Sequence, residues 1–145
     1  MRASLSNESV DIIKKSASLI TQNDTKITLK MYDILFEKYP QLEKFFDNAP
    51  KDQYMKLAQA VSAYAVNIDK IDMFVPALRV IAIAHVREGI KPVHYPLVGR
   101  AFIEALEETL GESASLELID AWREAFLHIS DILISLEEEL YKKDF

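Results

Sequence analysis

Apolar positions along this chain recur with a period near 3.6 residues rather than 2. Leu57, Ala60, Val61, Tyr64 and Ile68 follow that spacing, and so do Phe74, Leu78, Ile81 and His85. The longest stripe comes last: Leu118, Ile119, Trp122, Phe126, Ile129, Leu133, Leu136 and Leu140. No segment alternates convincingly as a strand. The pattern predicts an all-α fold of six long helices plus one or two short turns.

Turn and cap residues set the expected boundaries. Ser6 can cap a first helix running to about Thr21. A second follows Asn23-Asp24 and carries Ile27, Thr28, Met31, Tyr32, Leu35 and Phe36 on one face. Pro40 opens a short turn that runs to Phe46, and residues 47–51 form the one real loop. Asp52 can cap the next helix, where Gln53 lies one turn before Leu57 on the same face. The helix bearing His85 begins near Ile71 and stops at Gly89, a common helix terminator. Residues 90–95 make a corner containing Pro92. A helix from Pro96 to Leu110 ends at Gly111, and the last covers about 115–141.

The chain has 145 residues, which implies one domain, 1–145, large enough to bury a substantial core. Seventeen basic residues against 23 acidic give a charge of −6, which argues against nucleic acid or an anionic membrane surface as partner. No cysteine is present, so disulfides, thiolate metal sites and covalently attached c-type haem are excluded. Met1 to Val10 has no apolar core, and no apolar run approaches a membrane helix. A cytoplasmic location is the expectation. The three glycines stand alone, so no glycine-rich phosphate loop exists.

His85 is the residue that most needs explaining, because it lies on an apolar stripe. Such a histidine is either a satisfied core residue or a metal ligand. A ligand histidine needs an acceptor for its second nitrogen. The corner His94-Tyr95-Pro96 and the late Glu137 are candidates. Glu137 sits at the edge of the last stripe, although its run Glu137-Glu138-Glu139 also fits a solvated face. Tyr32 and Gln53 are hydrogen-bond donors on otherwise apolar faces of two other helices. Either fits an ordinary structural role when taken alone. His128 shares a face with Glu124, Asp131 and Ser135, and reads as a surface histidine. Trp122 and the phenylalanines fall on core stripes. No metalloprotease or di-iron motif is present.

Three blocks carry a specific likeness: Met31-Tyr32 through Phe45-Phe46-Asp47, then Ile81-Ala82-Ile83-Ala84-His85, then His94-Tyr95-Pro96-Leu97-Val98-Gly99. With them the chain resembles the globin domain of bacterial flavohaemoglobins and the related single-domain bacterial haemoglobins, over essentially its whole length. The resemblance implies a three-over-three helical sandwich with a haem pocket in its core, holding haem b (iron protoporphyrin IX) non-covalently. It implies that His85 is the proximal iron ligand, with Tyr95 and Glu137 as hydrogen-bonding partners behind it. Tyr32 and Gln53 would be the distal donors, Leu57 the apolar residue crowding a bound gas, and Phe46 a wedge against the ring. Val98 would contact the haem, and Lys56, beside Leu57, could meet a propionate. Six residues separate Phe46 from Gln53, fewer than expected for the family, which would let Tyr54 take the distal place if the register slipped.

The function so implied is reversible binding of dioxygen and of other diatomic gases, carbon monoxide and nitric oxide among them. A single globin domain without a reductase domain is the expectation, so nitric oxide dioxygenase chemistry would need electrons from a separate reductase. The alternatives are a haem-based gas sensor or a haem-less interaction module on the same fold. Oligomeric state is not legible.

Overall fold

A computed structural model describes residues 5–143. The first four residues of the Met1–Val10 stretch, and both ends of the expected 1–145 domain, lie outside the described residues. Among the described residues there are five α-helices: α1 (Asn7–Lys38), α2 (Gln53–Val66), α3 (Ile71–Glu88), α4 (Tyr95–Leu110) and α5 (Leu116–Lys143). Four short 3₁₀ turns join them, at Pro40–Phe46, Ile68–Lys70, Pro92–His94 and Gly111–Ser113. Among the described residues there is no strand, and no helix is long and apolar enough to cross a membrane.

The expected first and second helices run end to end as one. Ile13, Ile20, Ile27 and Ile34 are all buried and recur every seven residues, straight through Asn23-Asp24. A stripe of that period keeps one helix face against the core. The polar pair that suggested a break is satisfied without one. Asn23 donates to the carbonyl of Leu19, and Asp24 accepts from the Ser62 hydroxyl on α2. The first cap is as expected: Ser6 Oγ accepts the Ser9 backbone N–H. Asp52 precedes α2 but makes no side-chain cap bond. Gly89 ends α3 with φ at 85°, a left-handed conformation that glycine adopts without strain.

α1 packs against α2, α4 and α5, and α3 lies against α5. The main core joins the isoleucines of α1 to Phe102 and Leu106 of α4 and to Ile119 and Trp122 of α5. A second, smaller core joins Leu78 and Ala82 of α3 to Tyr95, Ile132, Leu133 and Leu136. Partly buried Ile71, Phe74, Phe126 and Ile129 touch both.

Candidate functional site

His85 sits in the last turn of α3, Tyr95 opens α4, and Glu137 lies late in α5. The packing of these three helices brings the residues together. His85 Nδ1 is 2.9 Å from Glu137 Oε2 and 3.0 Å from the Tyr95 hydroxyl. Tyr95 in turn donates to both carboxyl oxygens of Glu137, at 2.7 and 3.0 Å. Glu137 is only 3% exposed, so this residue leaves its acidic run and points inward. A buried carboxyl group requires such donors. Tyr95 is pushed far above the ordinary tyrosine range, first by burial and then by its bond to Glu137, and it stays a neutral donor.

This network fixes the imidazole. With its proton at Nδ1 directed to Glu137, His85 carries a lone pair at Nε2. Nothing among the described residues bonds Nε2, and the side chain is 29% exposed. The other corner candidate faces elsewhere. His94 Nδ1 accepts the backbone N–H of Lys91 and closes the turn, and its ring packs 4.5 Å from Phe45. Burial lowers its pKa, with Lys44 and Lys91 adding to the effect.

Tyr32, Phe36 and Phe46 form an aromatic group with ring centroids 5.2–5.8 Å apart. Beside it lies a cavity of about 210 Å³, lined by Leu29, Tyr32, Phe36, Phe46, Gln53 and Tyr54 with residues 49–51. Burial pushes the Tyr32 pKa up to about 12, while a hydrogen bond from the Gln53 side chain pulls the other way. Gln53 thus meets Tyr32, and Tyr54 lines the same cavity one residue on.

The order of this region depends on a residue that sequence reading placed on the right face but gave no role. Thr28 is fully buried, and its hydroxyl donates at 2.7 Å to the carbonyl of Tyr54, next to Gln53. Its only sequence signal is a hydroxyl on the apolar stripe of α1. Leu57 and Val98 are half-buried against the main core. Lys56 is exposed. His128 corrects an expectation: it is half-buried, and its Nδ1 lies 3.2 Å from the hydroxyl of Tyr64. A buried phenol needs a polar partner, and α5 supplies it.

The residues fit a large apolar group that brings its own metal. Among the described residues no three metal-binding side chains cluster, so the protein presents no chelating set. It presents one imidazole with an oriented lone pair, apolar half-buried walls, and two hydrogen-bond donors on a separate helix pair. A single imidazole suits a metal whose other ligands come from a macrocycle.

The family model described as Globin matches residues 29–133. The chain belongs to the globin family. This globin is 40% identical over 139 residues to an uncharacterized globin-like protein of Aquifex aeolicus, covering 96% of this chain and 99% of that one. It is 34% identical to the flavohemoprotein of Bacillus subtilis, again over 96% of its own length but only 36% of the relative's. Among solved structures it resembles an engineered carbene transferase made from a candidate nitric oxide dioxygenase of Rhodothermus marinus. That match has a TM-score of 0.93 and 33% identity, and covers 97% of this chain and 98% of the other. The all-α globin fold expected from the sequence is therefore the fold this chain adopts.

Proposed function

We propose that this globin holds haem b non-covalently through His85 and binds dioxygen and other diatomic gases, including carbon monoxide and nitric oxide. With electrons from a separate reductase it converts nitric oxide and dioxygen to nitrate. The observation that supports the reading is the His85–Tyr95–Glu137 network, which engages Nδ1 and leaves the Nε2 lone pair to serve as a ligand.

Haem, when held there, supplies an iron that takes up diatomic gases and exchanges electrons. The remaining work falls to the chain. Glu137 accepts a hydrogen bond from the Nδ1–H of His85 and so raises the electron donation of Nε2. Tyr95 holds the Glu137 carboxyl group in place and keeps its own proton. Tyr32 and Gln53 donate hydrogen bonds toward partial negative charge in a water-poor space, each contributing about 1 kcal/mol. A proximal push and distal donors together favour redox chemistry over simple storage. Phe46, Leu57 and Val98 would supply apolar walls, and exposed Lys56 would meet a carboxylate of the bound group.

The test is nitrate formation from nitric oxide by the haem-loaded protein, supplied with dioxygen and a reductant. Turnover should exceed that of a haem-free control. Equal rates would end the dioxygenase reading and leave gas binding alone.

A further inference from the structure

A hydroxyl side chain inside a helix ordinarily turns back onto its own backbone. Ser16 donates to the carbonyl of Ile13 at 2.9 Å, Thr21 to that of Ala17 at 2.8 Å and Ser130 to that of Phe126 at 2.8 Å. Thr28 and Ser62 reach across to a neighbouring helix instead. On its own helix Thr28 comes only within 3.4 Å of the Thr25 carbonyl, whereas it donates at 2.7 Å to the Tyr54 carbonyl on α2. Ser62 donates from α2 to the Asp24 carboxylate on α1 at 2.8 Å.

Asp24, Thr28 and Tyr32 are four residues apart, so they form one line along α1 with a rise of about 6 Å between neighbours. Their partners follow in reverse order along α2: Ser62, Tyr54 and Gln53. The Tyr32–Gln53 pair is the last rung of this series. One point of attachment would leave α2 free to pivot and slide on α1, and two spaced points remove both motions. The start of α2 depends on a hold from outside, because Asp52 supplies no side-chain cap bond. A carbonyl oxygen has two lone pairs, so that of Tyr54 accepts from Thr28 and keeps its place in the helix.

We propose that Thr28, Asp24 and Ser62 are positioning residues for the Tyr32–Gln53 pair: their two cross-helix bonds set the register of α2 on α1, and through it the spacing of the two donors. On the proposed function this spacing decides how well both donors meet a bound gas, and the assignment rests on that reading. Thr28 acts through the first turn of α2, next to Gln53. Asp24 and Ser62 act from two turns further along α2, and so with less effect.

The experiment uses the haem-loaded protein with carbon monoxide, whose C–O stretching frequency reports the hydrogen bonds offered to it. Tyr32→Phe is the reference and should shift the band. Thr28→Val should broaden the band toward the Tyr32→Phe position and speed dioxygen release about threefold, less than loss of the Tyr32 hydroxyl itself. Thr28→Ser keeps the hydroxyl and should restore both readouts. Ser62→Ala, at a half-buried position, tests the same register without touching the core. It and Asp24→Ala should each give a smaller change in the same direction, and the two together no more than either alone, because they remove one bond. A loss of stability in Thr28→Val with band and release rate unchanged overturns the proposal, as does Thr28→Ser behaving like Thr28→Val. A band that Tyr32→Phe itself leaves unmoved would instead remove Tyr32 as a donor, and the proposed function of the pair with it.

Discussion

The two sides of the candidate site are built differently. On the His85 side three helices deliver one residue each, and the resulting network is closed, with Glu137 buried and accepting from both neighbours. On the Tyr32 side one long helix faces the first turn of another, across a cavity bounded by residues 49–51 of the connecting segment. The first arrangement is fixed by burial and mutual satisfaction of polar groups. The second is tied by separate hydrogen bonds, from Thr28 to the Tyr54 carbonyl and between Gln53 and Tyr32, rather than by a closed network. On the proposed function, a closed His85 side would hold the group firmly and a less tightly tied Tyr32 side would admit and release small ligands.

Breaking the closed side should have the largest effect. Glu137→Ala leaves the Tyr95 hydroxyl and the His85 Nδ1–H without their acceptor, and should lower stability by about 3 kcal/mol in denaturant titration. An unchanged midpoint would mean the network contributes nothing to folding. Next comes the floor beneath it. A Cβ on Gly99 would lie 2.7 Å from the Phe126 ring, which stacks on Phe102. Alanine normally improves a helix interior by nearly 1 kcal/mol over glycine. Here the overlap should outweigh that gain, so that Gly99→Ala lowers stability by about 1 kcal/mol net.

Changes on the open side should be smaller in stability and visible in ligand kinetics. Tyr32→Phe removes one donor and should speed dioxygen release from the haem-loaded protein about fivefold, with helical content intact. An unchanged off-rate would mean that the Tyr32 hydroxyl does not meet the ligand. The same hydroxyl links stability to alkaline pH. Unfolded tyrosine titrates near 10 and folded Tyr32 near 12. Its contribution is therefore complete below pH 10 and lost as pH rises toward 12. Tyr32→Phe should flatten that part of the stability profile. Thr28→Val should show the smallest effect, about 1 kcal/mol in stability or less, but should speed ligand release by loosening the turn that carries Gln53.

Much of the closed side was legible in the sequence, because its residues sit within short specific blocks. His85 ends an apolar stripe and Tyr95 lies in the corner after Gly89. Glu137 was legible only through the resemblance, since local pattern alone reads Glu137-Glu138-Glu139 as solvated. Burial of one glutamate of three depends on the register of α5 against α3 and α4, which no local signal states. The open side was legible in residue identity but not in support. Thr28 looks like any stripe residue until α2 is placed against it. Asn23-Asp24 looked like a helix boundary because polar residues favour caps. The isoleucine repeat that carries α1 through them was the stronger signal. His128 shows the same limit: its partner, Tyr64, is 64 residues away.

The most direct measurement is an absorption spectrum of the protein with added haem, taken ferric, reduced, and after exposure to dioxygen and carbon monoxide, alongside His85→Ala. A strong Soret band that shifts with each ligand is expected in the wild type, together with loss of iron coordination but not of helical content in the variant. No Soret band in the wild type, or a normal five-coordinate ferrous spectrum in His85→Ala, would contradict the assignment of His85 as the residue that holds the iron.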